Sequence, residues 1–102
     1  EQAADRYERM QAAGVASSDL KNVIQASAAG RVETLFVATG VQRWGIYRPA
    51  SGELIPLKAP EPLAEDLLNL AALQTIIHAG KVYAVSPDQV PGGGELAATF
   101  RY

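Results

Sequence analysis

Apolar positions fall along the chain in two rhythms, one helical and one extended, and glycine separates them. Between residues 63 and 78 the apolar side chains occupy Leu63, Leu67, Leu70, Ala71 and Ile77, and also Ala64, Leu68, Ala72, Leu73 and Ile76. That spacing predicts one long helix, apolar nearly all round and so covered on more than one side. Pro62 suits its first position, where no N–H is needed. Glu65 and Asp66 then fall in the first turn, where carboxylates meet the positive end of the helix dipole. His78 falls in the last turn, and Gly80 is placed to take the left-handed residue that ends the helix. Val82 to Val85 follow as a β-rich run.

The same helix–glycine–strand unit occurs earlier. Leu20, Val23, Ile24 and Ala28 lie on one side of a predicted helix, with Ser17 or Ser18 as its cap and Asp19 in its first turn. Gly30 stops it, and residues 32–37 form a strand whose continuous apolar end predicts a central place in a sheet. Ahead of this unit, residues 1–13 read as a polar helix with a thin apolar stripe at Ala3, Tyr7 and Met10, ended by Gly14. Asp5, Arg6, Glu8 and Arg9 form a solvated face on it.

Between the two units, residues 43–48 alternate, which places Trp44 and Ile46 on one face, toward the core, and Arg43, Gly45 and Tyr47 on the other. Residues 49–52 carry turn chemistry and residues 53–57 return as an extended run. Pro56 assigns that run to a sheet edge, because proline cannot donate to a ladder. Residues 43–57 therefore predict a β-hairpin. After Val85, Ser86 caps a single turn, Gly92 to Gly94 form a loop, and Leu96, Ala98 and Phe100 alternate against Ala97, Thr99 and Arg101 in a closing strand.

Composition narrows the function classes. At 102 residues and 48% hydrophobic, the chain is long enough for one core. We divide it into residues 1–14, a helix that is either the tail of an upstream segment or the first helix of the domain, and residues 15–102. The chain opens at Glu1 with a mid-helix character, and a piece of a longer protein is the expectation. No apolar run approaches the ~20 residues of a membrane span, and a cytoplasmic protein is expected. A net charge of −2 and a pI of about 5.3 weigh against a domain that lives on phosphate contacts. Without cysteine there is no thiolate metal site or disulfide framework.

Candidate chemistry is sparse. His78 is the only histidine, and the helix dipole alone favours it in a last turn. Glu65 and Asp66 are neighbours on a predicted helix, about 100° apart, and do not converge as an acid/base pair. Gly92 to Gly94 lack the helix start and Lys-Ser/Thr of a phosphate cradle, and no Gln follows to make a Gly-Gly-Gln hydrolysis motif. No metal, cofactor or catalytic set is expected, and the chain does not read as an enzyme. The hairpin is richer: Arg43, Trp44, Tyr47 and Arg48 bring together guanidinium and aromatic groups, the types that stack on bases or anchor interfaces. Asp66, with Asn69 on its face of the helix, could anchor a loop or a partner.

Four segments carry a family resemblance: residues 30–37 (GRVETLFV), 65–72 (EDLLNLAA), 80–85 (GKVYAV) and 97–102 (AATFRY). Together they resemble the C-terminal domain of bacterial relatives of archaeo-eukaryotic class I release factors, across roughly residues 15–102. That domain is also similar to the last domain of Pelota-type ribosome rescue factors and, more distantly, to ribosomal proteins that bind kink-turn RNA. The resemblance implies an α/β protein, a three-layer α/β/α sandwich around a mixed sheet of about four strands, with the hairpin added. It implies a non-catalytic domain that binds a translational GTPase or the ribosome, with any Gly-Gly-Gln motif in a separate domain. The RNA-binding cousins carry a Gly-Ala-Asn-Glu motif and a following Lys at their second helix. The matching positions here are Ala16, Ser17, Ser18, Asp19 and Asn22, so the acid alone survives in kind. Our expectation is a protein-interaction domain contacting its partner through Arg43, Trp44, Arg48, Asp66 and Asn69. A structured-RNA-binding module of the kink-turn class is the alternative.

Overall fold

A computed structural model describes residues 2–101. Its side-chain detail omits Gln2, Ala3, Ala4 and Arg6, so the expectations for Ala3 and Arg6 lie outside the described residues. The elements run α1 (Gln2–Ala12), β1 (Ala16–Ser17), α2 (Leu20–Ala28), β2 (Val32–Ala38), β3 (Trp44–Arg48), β4 (Glu53–Pro56), β5 (Glu65–Asp66), α3 (Leu67–Ile77), β6 (Lys81–Val85) and β7 (Leu96–Phe100). Two 3₁₀ turns, Pro87–Gln89 and Pro91–Gly93, join β6 to β7.

The central sheet has the order β1-β7-β2-β6. β6 runs parallel to β2, whereas β7 is antiparallel to both β2 and β1. This is the mixed four-stranded sheet of an α/β protein. β2 and β7 lie between neighbours, and all five residues of β7 are buried. Leu35, Leu96, Ala98 and Phe100 pack on one side with Val23 and Ile24 of α2 and Leu67, Leu68 and Ala71 of α3. Phe36, Ala38 and Ala97 pack on the other with Tyr7 of α1 and Val90. Helices therefore cover both faces and the core has two compartments. A register shift between Val32 and Thr34 breaks the alternation of β2 and lets Val32 join the compartment of Leu35.

The second sheet, β4-β3-β5, contains the predicted hairpin. β4 is an edge strand, as Pro56 required. The turn of this hairpin is held to α2 by Gln25, whose Nε2 donates to Gly52 O at 2.8 Å.

Several local expectations are corrected. α3 starts at Leu67 and not at Pro62, because Glu65 and Asp66 pair as a short strand with Gly45 and Trp44. Asp66 is then the cap itself, accepting from Leu68 N at 3.1 Å. Asp19 likewise caps α2, accepting from Asn22 N at 3.0 Å, while Ser17 sits in β1. The left-handed residue after α3 is Ala79, with φ of 67°, and not Gly80. Gly80 is needed for space: a Cβ there would lie 2.6 Å from Thr75 Cγ2 and 2.7 Å from Val32 O. Arg101 closes both helix ends, donating to Gly30 O at 3.0 Å and His78 O at 2.8 Å. The expected cover of α3 on more than one side is present, from the central sheet, α2 and β3, while its outer side exposes Leu73, Ile76 and Ile77.

Candidate functional site

The faces of β3 are the reverse of the sequence expectation, and this reversal defines the site. A Cβ on Gly45 would lie 2.6 Å from Leu67 Cδ1 and 2.8 Å from Ile55 O. Gly45 therefore faces α3, and the missing side chain is what lets Leu67 seat there. Tyr47 and its cross-strand neighbour Leu54 lie on the same side and pack against the first core compartment. Alternation then turns Trp44 and Ile46 away from the core. Ile46 pairs with Ile55 across the strands, so Ile55 shares this outer face. Trp44, Ile46 and Ile55 are each half-buried. Arg48 and Glu53, opposite each other at the end of the ladder, form an exposed ion pair at 3.6 Å beside them. The result is an apolar, aromatic surface with a charged rim.

The hairpin is fixed to the sandwich at its open end. Asp66 Oδ1 accepts from Arg43 N at 3.2 Å as well as from Leu68 N. Leu67 N donates to Arg43 O at 2.7 Å. One carboxylate thus caps α3 and ties the strand that carries Trp44 to that helix. The Arg43 guanidinium turns toward Glu95, just before β7, and pairs with it.

The five residues expected to contact a partner do not form one cluster. Trp44 and Arg48 lie on the outer face of the hairpin. Asp66 and Asn69 line a separate open cleft of about 280 Å³ between α3 and β6, whose walls include Val37, Leu68, Val82 and Ala84. Arg43 lies between the two, its backbone bonded to Asp66 and its side chain to Glu95. Sequence reasoning missed Ile46 and Ile55 as members of the outer face, because it assigned Ile46 to the core. The pairing of two β-branched residues on an edge hairpin was the signal present.

Other candidates settle into local roles. His78 Nδ1 is 2.9 Å from Gln74 O, one turn back, and the ring lies against Gly30. Asp19 has its carboxylate engaged at the α2 cap. Among the described residues, no group of three or more His, Cys, Asp or Glu side chains could hold a metal ion, and no helix is long and apolar enough to cross a membrane. No protein-family model matches this chain, and no curated protein matches it.

Proposed function

We propose that this domain is a non-catalytic protein-interaction module of a bacterial release-factor-like protein, serving translation termination or ribosome rescue in the cytoplasm. Its partner is a translational GTPase or a protein surface of the ribosome. The observation that carries the reading is the outward face of the hairpin: an indole, two isoleucines and a guanidinium rim held on a strand that is pinned to the core. Aromatic and Arg side chains around an apolar centre are the groups that dominate protein interfaces. The mixed sheet with helices on both faces agrees with the fold that the family resemblance implies. The kink-turn reading gains no support here, because Ala16 and Ser17 are paired to β7 and the Asp19 carboxylate is engaged in capping.

The test is co-sedimentation of the chain with bacterial ribosomes, and pull-down by a purified translational GTPase, at low and moderate salt. Arg48→Glu and Trp44→Ala should each weaken binding by about tenfold, the scale of one interface anchor. Ile77→Ser, on a different surface, should leave it unchanged. Binding that is equal for all three variants, or no binding in either assay, overturns the proposal. Binding that collapses steeply with salt and is competed by structured RNA points to phosphate contacts and overturns it as well.

A further inference from the structure

β6 closes one side of the central sheet, and among the described residues no strand pairs with its outer edge. The phase of its backbone can be read from its neighbours. Val85 O accepts from Thr39 N at 2.8 Å, and Ala38 N donates to Glu95 O on the far side of β2. Lys81, Tyr83 and Val85 therefore bond inward to β2, and Val82 and Ala84 direct both N–H and C=O outward. Exposed edges of this kind template pairing with another chain unless proline, a bulge or inward charge blunts them. β6 has no proline, bulge or inward charge, and Lys81 at its first position is the one blunting charge it carries.

The same side of the molecule is apolar above and below the edge. On α3, next to Asn69 and Ala72 on the helix surface, Ile76 is 58% exposed. On the opposite face of the sheet Tyr83 is 42% exposed and stacks on Phe36 with centroids 5.4 Å apart. The cleft between α3 and β6 opens beside the strand, lined by Val82, Ala84 and Ala72 with Asn69 at its rim.

We infer that this edge is a homodimer interface, in which β6 pairs antiparallel with β6 of a second copy about a two-fold axis at Tyr83. Self-association is favoured over a foreign strand because every feature of the edge complements itself under that one operation. With Tyr83 on the axis, Val82 of each copy opposes Ala84 of the partner subunit. The outward amides and carbonyls then meet as hydrogen-bonded pairs, four bonds in all by antiparallel ladder geometry. The two Tyr83 rings become a direct non-hydrogen-bonded pair and extend the Phe36 stack. Lys81 of each copy then faces Val85 of the partner subunit, whereas parallel pairing would bring lysine to lysine.

The helices also fit. α3 lies over β2 and β6, so its axis sits about half a strand spacing inside β6, and the two-fold axis lies about half a spacing outside. The two α3 axes are then about two strand spacings, ~10 Å, apart, close to the 8–10 Å at which helices pack. α3 runs antiparallel to its copy, which sets Ile76 of each chain against the Asn69 rim and apolar cleft of the other. A knob and a socket exchanged across a two-fold axis make an isologous interface.

Light scattering should give twice the 10.8 kDa mass of the chain, falling toward the monomer on dilution. Because the chain has no cysteine, Tyr83→Cys reports the register. Its two Cα atoms would be about 4.5 Å apart on the axis, within disulfide range. Oxidation should link the Tyr83→Cys variant at least ~10 times faster than a Ser51→Cys control in the hairpin turn, the margin expected of a preformed pair. Ala84→Pro removes an outward donor without touching the bonds to β2, and Ile76→Glu charges the knob. Each should raise the dimer dissociation constant about tenfold or more with unchanged circular dichroism. A monomeric mass at every concentration, or a dimer that survives both substitutions, overturns the inference. So does cross-linking of the Tyr83→Cys variant no faster than the control. None of these readouts depends on ribosome or GTPase binding.

Discussion

Gly45→Ala should destabilise the protein, although alanine normally improves on glycine in a strand. The added methyl would sit 2.6 Å from Leu67 Cδ1 and 2.8 Å from Ile55 O. Leu67 is fully buried and cannot swing away, and Ile55 O belongs to the ladder between β3 and β4. Overpacking of this kind costs about 1–3 kcal/mol. Losing glycine's extra freedom in the unfolded chain offsets about 0.4–1 kcal/mol. The net loss is about 1–2 kcal/mol, which for a domain of this size lowers Tm by roughly 5–15 °C. Thermal and urea unfolding followed by circular dichroism measure it directly. In a Leu67→Val background, where a methylene is gone from the contact, the penalty should shrink by about 0.5 kcal/mol or more. A Gly45→Ala protein as stable as the parent would refute the close approach of α3 to β3. With it would go the assignment of Trp44 and Ile46 to the outer face.

Three further outcomes follow from the geometry. Asp66→Ala removes a cap and the tie to Arg43 N, and should cost about 1–2 kcal/mol by urea titration; Asp66→Asn keeps an acceptor and should lose less than half of that. Ala79→Gly relieves a left-handed alanine and should raise stability by about 0.5–1 kcal/mol, seen as a higher urea midpoint with unchanged slope. Arg43→Ala breaks an ion pair that is 45% and 36% exposed at its two side chains, so its cost should stay below about 1 kcal/mol and vanish in high salt.

The overall plan was legible because hydrophobic periodicity and glycine stops are local signals. Two helix–Gly–strand units, a central β2 and an edge β4 marked by Pro56 all follow from them. What was not legible depended on contacts distant in sequence. Pro62 and the acidic pair after it mimic a helix start, but Glu65 and Asp66 are drawn into β5 by β3, some twenty residues earlier. The faces of β3 were reversed because Trp44 is its largest apolar residue, whereas Gly45 decides the matter by admitting Leu67. Apolarity around α3 predicted cover on more than one side, which the central sheet, α2 and β3 provide; which side stays open, the one bearing Leu73 and Ile76, depended on those distant contacts. The site was legible in part. Trp44 and Arg48 do share a surface, but Asp66 and Asn69 belong to the cleft, a separation visible only once α3 and β6 are placed side by side.

The central claim is that the outer face of the hairpin meets a protein of the translation machinery. A photo-crosslinking residue in place of Ile46, at the middle of that face, tests it most directly. Irradiation in the presence of purified bacterial ribosomes and a translational GTPase should yield a covalent adduct with the GTPase or a ribosomal protein, suppressed by Arg48→Glu. Adducts confined to ribosomal RNA, or none above those from a crosslinker placed at Ile77, would contradict it.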